Sequence, residues 1–290
     1  MTTTRLVFIE GPPHTGRTRL GQELMLQYAV QSRPHQFWSA RSRDNPLLRP
    51  HDPAAYPSAA SYAAALEVQW QNFATRATTT TDTFICAGAL LQPGFRSLLA
   101  AGADAEHLQA LIARLLLHMS DLQPTLLYLS RADVPATADP DWARWRDCCA
   151  GLFADLPQHR LLLNASRSEP QELLRDALDF LDLPHIPVLA ERQRIARFAG
   201  RYAAGDQSEL VIEPTTAGTA ARVRLPAALL GGDARQEYDL LPMPDGGFLV
   251  AGEDLALRPE ESGGRMRGLH SESGDPLLAA LPAFLTRIAD

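Results

Sequence analysis

Apolar runs and apolar spacings divide the chain into strands that alternate with helices through its first two thirds. Arg5 to Glu10 (RLVFIE) is a short continuous apolar run, the pattern of a strand buried on both faces. It leads through GPPHTGRT into a helical stretch from Arg19 to Gln31, with Leu20, Leu24 and Tyr28 at helical spacing. A second strand is expected near Gln36 to Ala40, and the proline- and charge-rich stretch Arg41 to Ser58 reads as a loop. Helices follow over Ala59 to Arg76, Ala105 to Met119, Trp142 to Phe153 and Pro170 to Leu181. Between them lie the apolar runs Thr83 to Ala87 (TFICA), Thr125 to Leu129 (TLLYL) and Arg160 to Asn164 (RLLLN). Strands alternating with helices in this way predict an α/β fold with a doubly wound parallel sheet.

After Leu183-Pro184 the grammar changes. Beyond a short helix near Leu189 to Phe198, alternating segments recur at Glu209 to Ile212, Ala221 to Leu225, Glu237 to Leu241, Gly247 to Val250, Leu255 to Arg258 and Arg265 to Leu269. Gly231-Gly232-Asp233, Pro244-Asp245-Gly246-Gly247 and Gly263-Gly264 supply turns between them. The pattern predicts a small antiparallel β domain at the C-terminus, closed by a helix near Pro276 to Ile288. The boundary falls near Pro187, giving domains 1–187 and 188–290.

Composition narrows the function classes. A net charge of -7 disfavours nucleic acid as a partner, because that affinity comes from neutralising phosphates. No apolar run reaches membrane-spanning length, so no membrane association is expected. The opening MTTTRLVFIEG lacks a basic region followed by an apolar core, and a cytoplasmic protein is the expectation. Three cysteines form no zinc spacing. All 27 basic residues are arginine, which removes Schiff-base catalysis through lysine. The pattern specifies no oligomeric state.

The strongest chemical signal is Gly11-Pro12-Pro13-His14-Thr15-Gly16-Arg17-Thr18, between a buried strand and a helix. It has the spacing of a phosphate loop, with arginine in the lysine slot. Glycine loops at helix N-termini direct free backbone N–H groups and the positive dipole end at an anion. Thr18 offers a hydroxyl to phosphate or Mg²⁺. Arg17 keeps the charge but replaces a compact ammonium with a planar fork. Arg131 follows a buried strand at the end where parallel sheets bind ligands.

IEGPPHTGRT resembles the opening of thymidylate-kinase-like bacterial P-loop proteins. The resemblance continues in Val68-Gln69-Trp70 with Phe73, in Ala89 to Gln92, in Leu126 to Leu129 and in Phe180 to Leu183. It reaches the tail at Phe198-Ala199-Gly200-Arg201-Tyr202, similar to the opening of small β domains appended to such proteins. It implies a nucleotide-kinase fold with ATP phosphates at Gly11 to Thr18, Mg²⁺ at Thr18, and phosphoryl transfer to a small-molecule acceptor. It also implies an acceptor pocket around Asp44-Asn45, Trp70 and Gln92, and lid arginines at Arg131, Arg144 and Arg146. Two departures stand out: Arg17 replaces lysine, and Ala87 stands where the family carries an acid after its third strand.

Those departures favour a rival reading, a nucleotide binder without turnover. A further rival is sulfuryl transfer, since GPPHTGRT and YLSRADV also resemble the phosphosulfate loop and the following strand of sulfotransferases, which require neither the lysine nor Mg²⁺. Asp133 is a candidate replacement carboxylate. Trp70 and Phe73 fall on helical spacing and also fit a core stripe.

Overall fold

The computed structural model describes residues 4–12, 14–42, 44–47, 56–91, 94–100, 102–132, 142–156, 158–188, 192–204, 208–215, 220–226, 237–263, 265–273, 278 and 281–288. The chain forms two compact units, one of residues 1–40 and 44–185, the other of 186–290 with 41–43.

The first unit is built on five parallel strands: β1 (Leu6–Glu10), β2 (His35–Ser39), β3 (Thr83–Ala87), β4 (Pro124–Ser130) and β5 (His159–Asn164), in the order β2-β3-β1-β4-β5. Helices α1 (Arg17–Val30), α2 (Ala59–Ala77), α3 (Gly94–Ala100), α4 (Ala105–His118), α5 (Trp142–Asp155) and α6 (Pro170–Phe180) connect and cover them. Alternate residues of each central strand enter different cores. Leu6, Phe8, Phe84, Cys86, Leu126 and Tyr128 pack with residues of α2 to α5. Val7, Ile9, Ile85, Ala87, Leu127 and Leu129 pack with α1 and α6. Because both faces are covered, β1 and β3 have no polar side, which explains their continuous apolar sequence.

Local chemistry sets the helix starts. Ser58 and Ser61 form a capping box at α2, the Asp104 side chain accepts from His107 N–H at α4, and Pro170 opens α6. The two-turn α3 has no counterpart in the sequence reading, because seven residues are too few to display a helical period.

The second unit begins with α7 (Arg192–Phe198) and continues as an eight-stranded antiparallel meander. Its strands are β6 (Gly200–Ala203), β7 (Glu209–Pro214), β8 (Ala221–Arg224), β9 (Glu237–Pro242), β10 (Phe248–Val250), β11 (Leu255–Ser262), β12 (Arg265–Ser273) and β13 (Phe284–Thr286). A bridge between Tyr202 and Arg287 returns the last strand to the first, and Ile288 N–H donates to Arg201 C=O at 2.8 Å. The sheet thus comes close to a closed barrel, with Leu210, Ile212, Val223, Leu240, Val250 and Leu257 inside.

The expected terminal helix over Pro276 to Ile288 is corrected by β13, which pairs with β12 from Gly268↔Thr286 to His270↔Phe284. Pro282 lacks an N–H and disfavours helical geometry at Leu281, and the strand covers an edge that a helix would leave unpaired. Among the described residues no helix is long and apolar enough to cross a membrane.

Candidate functional site

Strand β1 lies at the centre of the parallel sheet, and the chain leaves it for β2 on one side while β4 is added on the other. The C-terminal end of β1 is therefore the topological switch point, where open α/β sheets bind ligands. The loop from Gly11 to Gly16 sits there. Gly11 has a φ of 142°, and a Cβ on it would lie 2.3 Å from the Leu129 carbonyl oxygen, so glycine lets the loop press against the end of β4. The buried Thr15 hydroxyl donates to the Pro12 carbonyl at 2.8 Å, which cinches the loop internally. Arg131, just past β4, donates from Nη1 to the His14 carbonyl at 3.0 Å. His14 itself is exposed, with a φ of 64°.

Gly16, with a φ of 89°, is the N-cap of α1 and provides no side-chain cap, and the first turn of α1 carries no acid. Among the described residues no capping side chain and no first-turn acid offsets the positive end of the helix dipole, a potential that favours an anion. Arg17 is the first residue of the helix. Its guanidinium lies at the far side of β1, where a Cβ on Gly88 would be 3.0 Å from Nη1.

Beneath the loop lies Glu10, the last residue of β1 and entirely buried. Its Oε1 accepts from Leu90 N–H at 2.7 Å and its Oε2 from Leu91 N–H at 3.3 Å, both in the segment after β3. Burial pushes the Glu10 carboxyl up to about 7, against the opposing pull of the Arg17 charge and of the backbone N–H groups of Leu90, Leu91 and Ala89. Its neighbours in the fold, Cys86 and Tyr128, are both raised mainly by burial. Glu10 is the residue that reading the sequence for motifs passes over. The signal for it was a carboxylate ending an otherwise apolar strand directly before a glycine loop.

The structure brings together Gly11, Pro12, His14, Thr15, Gly16, Arg17, Thr18 and Arg131, with Thr18 half-buried as the second residue of α1. Arg146 lies on α5 paired with Asp147, and its charge acts on Tyr128, the β4 partner of Glu10. Trp70 is a core residue, 2% exposed and stacked on Phe8 at 5.6 Å. Asn45 is committed to the backbone, donating to Ser39 C=O and accepting from Leu47 N–H. Asp44 is exposed and lines a cavity of about 270 Å³ with Gln36, Trp38, Phe73, Arg76 and Phe84. Phe84 pairs with Leu6, four residues and about 13 Å along β1 from Glu10, so the floor of this cavity is remote from the loop. Pro13, Gln92 and Asp133 lie outside the described residues, as does the Arg144 side chain.

Phosphate suits this donor set of backbone N–H groups and guanidinium. Mg²⁺ prefers several hard oxygens, and both oxygens of Glu10 are engaged by backbone donors. Among the described residues no group of three or more His, Cys, Asp or Glu side chains is placed to hold a metal. Compared with known proteins, the chain matches no family model and none of the curated proteins.

Proposed function

We propose that the first unit is a phosphate-loop protein of nucleotide-kinase type, similar to the thymidylate-kinase-like proteins, which binds a nucleotide such as ATP and transfers a phosphoryl group to a small acceptor. The observation that carries this reading is the convergence of an uncapped helix start, a glycine loop and two arginines from separate elements at the sheet's switch point. Backbone N–H groups of the non-proline residues from Gly11 to Thr18 hold the phosphates, and Arg17 and Arg131 oppose the charge that builds on the transferred group.

A second reading is favoured by Arg17 in the lysine slot of the loop and by Ala87, which ends β3 where the resemblance leads one to expect an acid. On it, the same loop serves a metal-independent anion, either a phosphosulfate donor for sulfuryl transfer or a nucleotide held without turnover.

Thermal shifts of wild type and Arg17→Ala with ATP, Mg-ATP and adenosine 3′-phosphate 5′-phosphosulfate test both. A ligand at a hundred times its dissociation constant stabilises by about 2.7 kcal/mol, or roughly 5–10 °C in a domain of this size. A shift with Mg-ATP that Arg17→Ala loses supports the kinase reading. A metal-independent shift with the phosphosulfate alone moves the function to sulfuryl transfer. No shift with any of them rejects the phosphate loop.

A further inference from the structure

Helices α2 and α4 lie side by side in the first unit. Glu67 pairs with Arg114, and Gln71 bonds His118, so a step of four residues along α2 matches a step of four along α4 and the two run in the same direction. Toward their N-terminal ends an open groove of about 510 Å³ lies between them, lined by Ala63, Leu98, Ala103, Leu108 and Leu111 among others. Near the other end of α4 stands Leu117, an exposed leucine with 68% of its surface in solvent, and α2 adds the exposed Val68. One face thus carries an apolar hollow at the start of α4 and an apolar projection at its end. Charge follows the same axis: Glu106 is in the first turn of α4, and Arg114, two turns on, is half exposed beside Glu67.

We propose that this face docks a second copy of the chain, the two α4 helices lying antiparallel about a twofold axis at the exposed Ala110. A twofold contact must be self-complementary, each feature finding its counterpart at an equal distance across the axis. Glu106 and Arg114 each lie four residues from Ala110, so the carboxylate of either copy meets the guanidinium of the other. Leu117 and Ala103 each lie seven residues from it, about 10 Å along the helix, so the projecting leucine of one copy enters the groove of the other. Alanine at the axis lets the helices approach closely, and antiparallel dipoles attract. Helices of 14 and 19 residues side by side present a face of roughly 20 by 25 Å. Two copies would bury on the order of 1,000 Å², the lower bound for specific association, which sets the expected dissociation constant on the order of micromolar. The proposal stands apart from the phosphate-loop reading.

Sedimentation of the full chain from about 1 to 200 µM tests it. The average mass of wild type is expected to rise with concentration from 31.7 kDa toward twice that, and Leu117→Glu to stay monomeric throughout while melting like wild type. Glu106→Arg and Arg114→Glu set like charges across the axis, and each alone should weaken the dimer at least about tenfold. Mixed in equal amounts they restore both ion pairs, and the mixture should associate as wild type does. Ala110→Cys reads the axis without altering a charge: oxidation should give a covalent dimer on a non-reducing gel that wild type does not form. A wild type monomeric at about 200 µM overturns the proposal and leaves the groove to another occupant. A dimer that survives Leu117→Glu overturns it in favour of a different face. A mixture no tighter than its parts, with no cross-link at Ala110, overturns the antiparallel arrangement.

Discussion

Replacing Gly11 by alanine separates steric from conformational demands on the loop. The new Cβ would stand 2.3 Å from the Leu129 carbonyl oxygen and 3.2 Å from Thr15 Oγ1, at a φ of 142°. The closest contact is the backbone of the buried Leu129 near the end of β4, which cannot swing aside as a side-chain tip would. Strain at such a φ costs about 1–3 kcal/mol and overpacking about as much again, so Gly11→Ala should cost about 2–6 kcal/mol. Gly16→Ala is the control, because Gly16 has a φ of 89° but nothing within 4 Å of a built Cβ. It meets only the left-handed penalty of about 1–2 kcal/mol. For a unit of this size each kcal/mol moves the melting temperature by about 2–4 °C, so Gly11→Ala should melt roughly 4–24 °C lower and Gly16→Ala about 2–8 °C lower. Calorimetry on the full chain, following the transition of the α/β unit, measures both. If Gly11→Ala proves no more destabilising than Gly16→Ala, the loop is not seated on β4 as described.

Other substitutions probe separate parts of the fold. Glu10 has its carboxyl raised from 4.5 to about 7 in the folded state, so the native protein holds a proton there that the unfolded chain has released. Stability from this group is full below about pH 4.5 and is lost as pH rises to about 7, a fall of about 3 kcal/mol that urea titrations should find in wild type and not in Glu10→Gln. Equal pH profiles for the two proteins would refute the assignment. Trp70→Ala removes a buried indole stacked on Phe8 and should cost about 3–5 kcal/mol in the first unit, whereas a ligand-facing tryptophan would lose affinity with little stability. Tyr202→Phe deletes the buried hydroxyl that donates to Phe198 C=O at 2.5 Å, and should lower the stability of the β unit by about 1–2 kcal/mol in chemical denaturation while the α/β transition stays put.

Much of the architecture was legible because local pattern and tertiary role coincide. RLVFIE and TFICA read as buried strands from their short continuous apolar runs, and they lie side by side in the sheet. The place of the glycine loop between β1 and α1 was legible because strand, glycines and helix start are local properties of consecutive residues. The helix expected near Pro276 to Ile288 shows the opposite case. Its apolar residues suit either structure, and pairing with β12 and return to β6 made it a strand. Trp70 is similar: helical spacing placed it on α2, but its stacking partner Phe8 is 62 positions away, from 8 to 70.

By itself, then, the order of residues determined the two classes of architecture, the parallel strands of the first unit and the position of the glycine loop, since each depends on periodicity or backbone freedom within a few residues. Only the tertiary structure decided that Glu10 lies dry beneath that loop, held by Leu90 and Leu91 from 80 residues away and opposed by Arg17. Burial and long-range pairing set the charge of a carboxyl, and neither is a property of neighbouring letters in a chain.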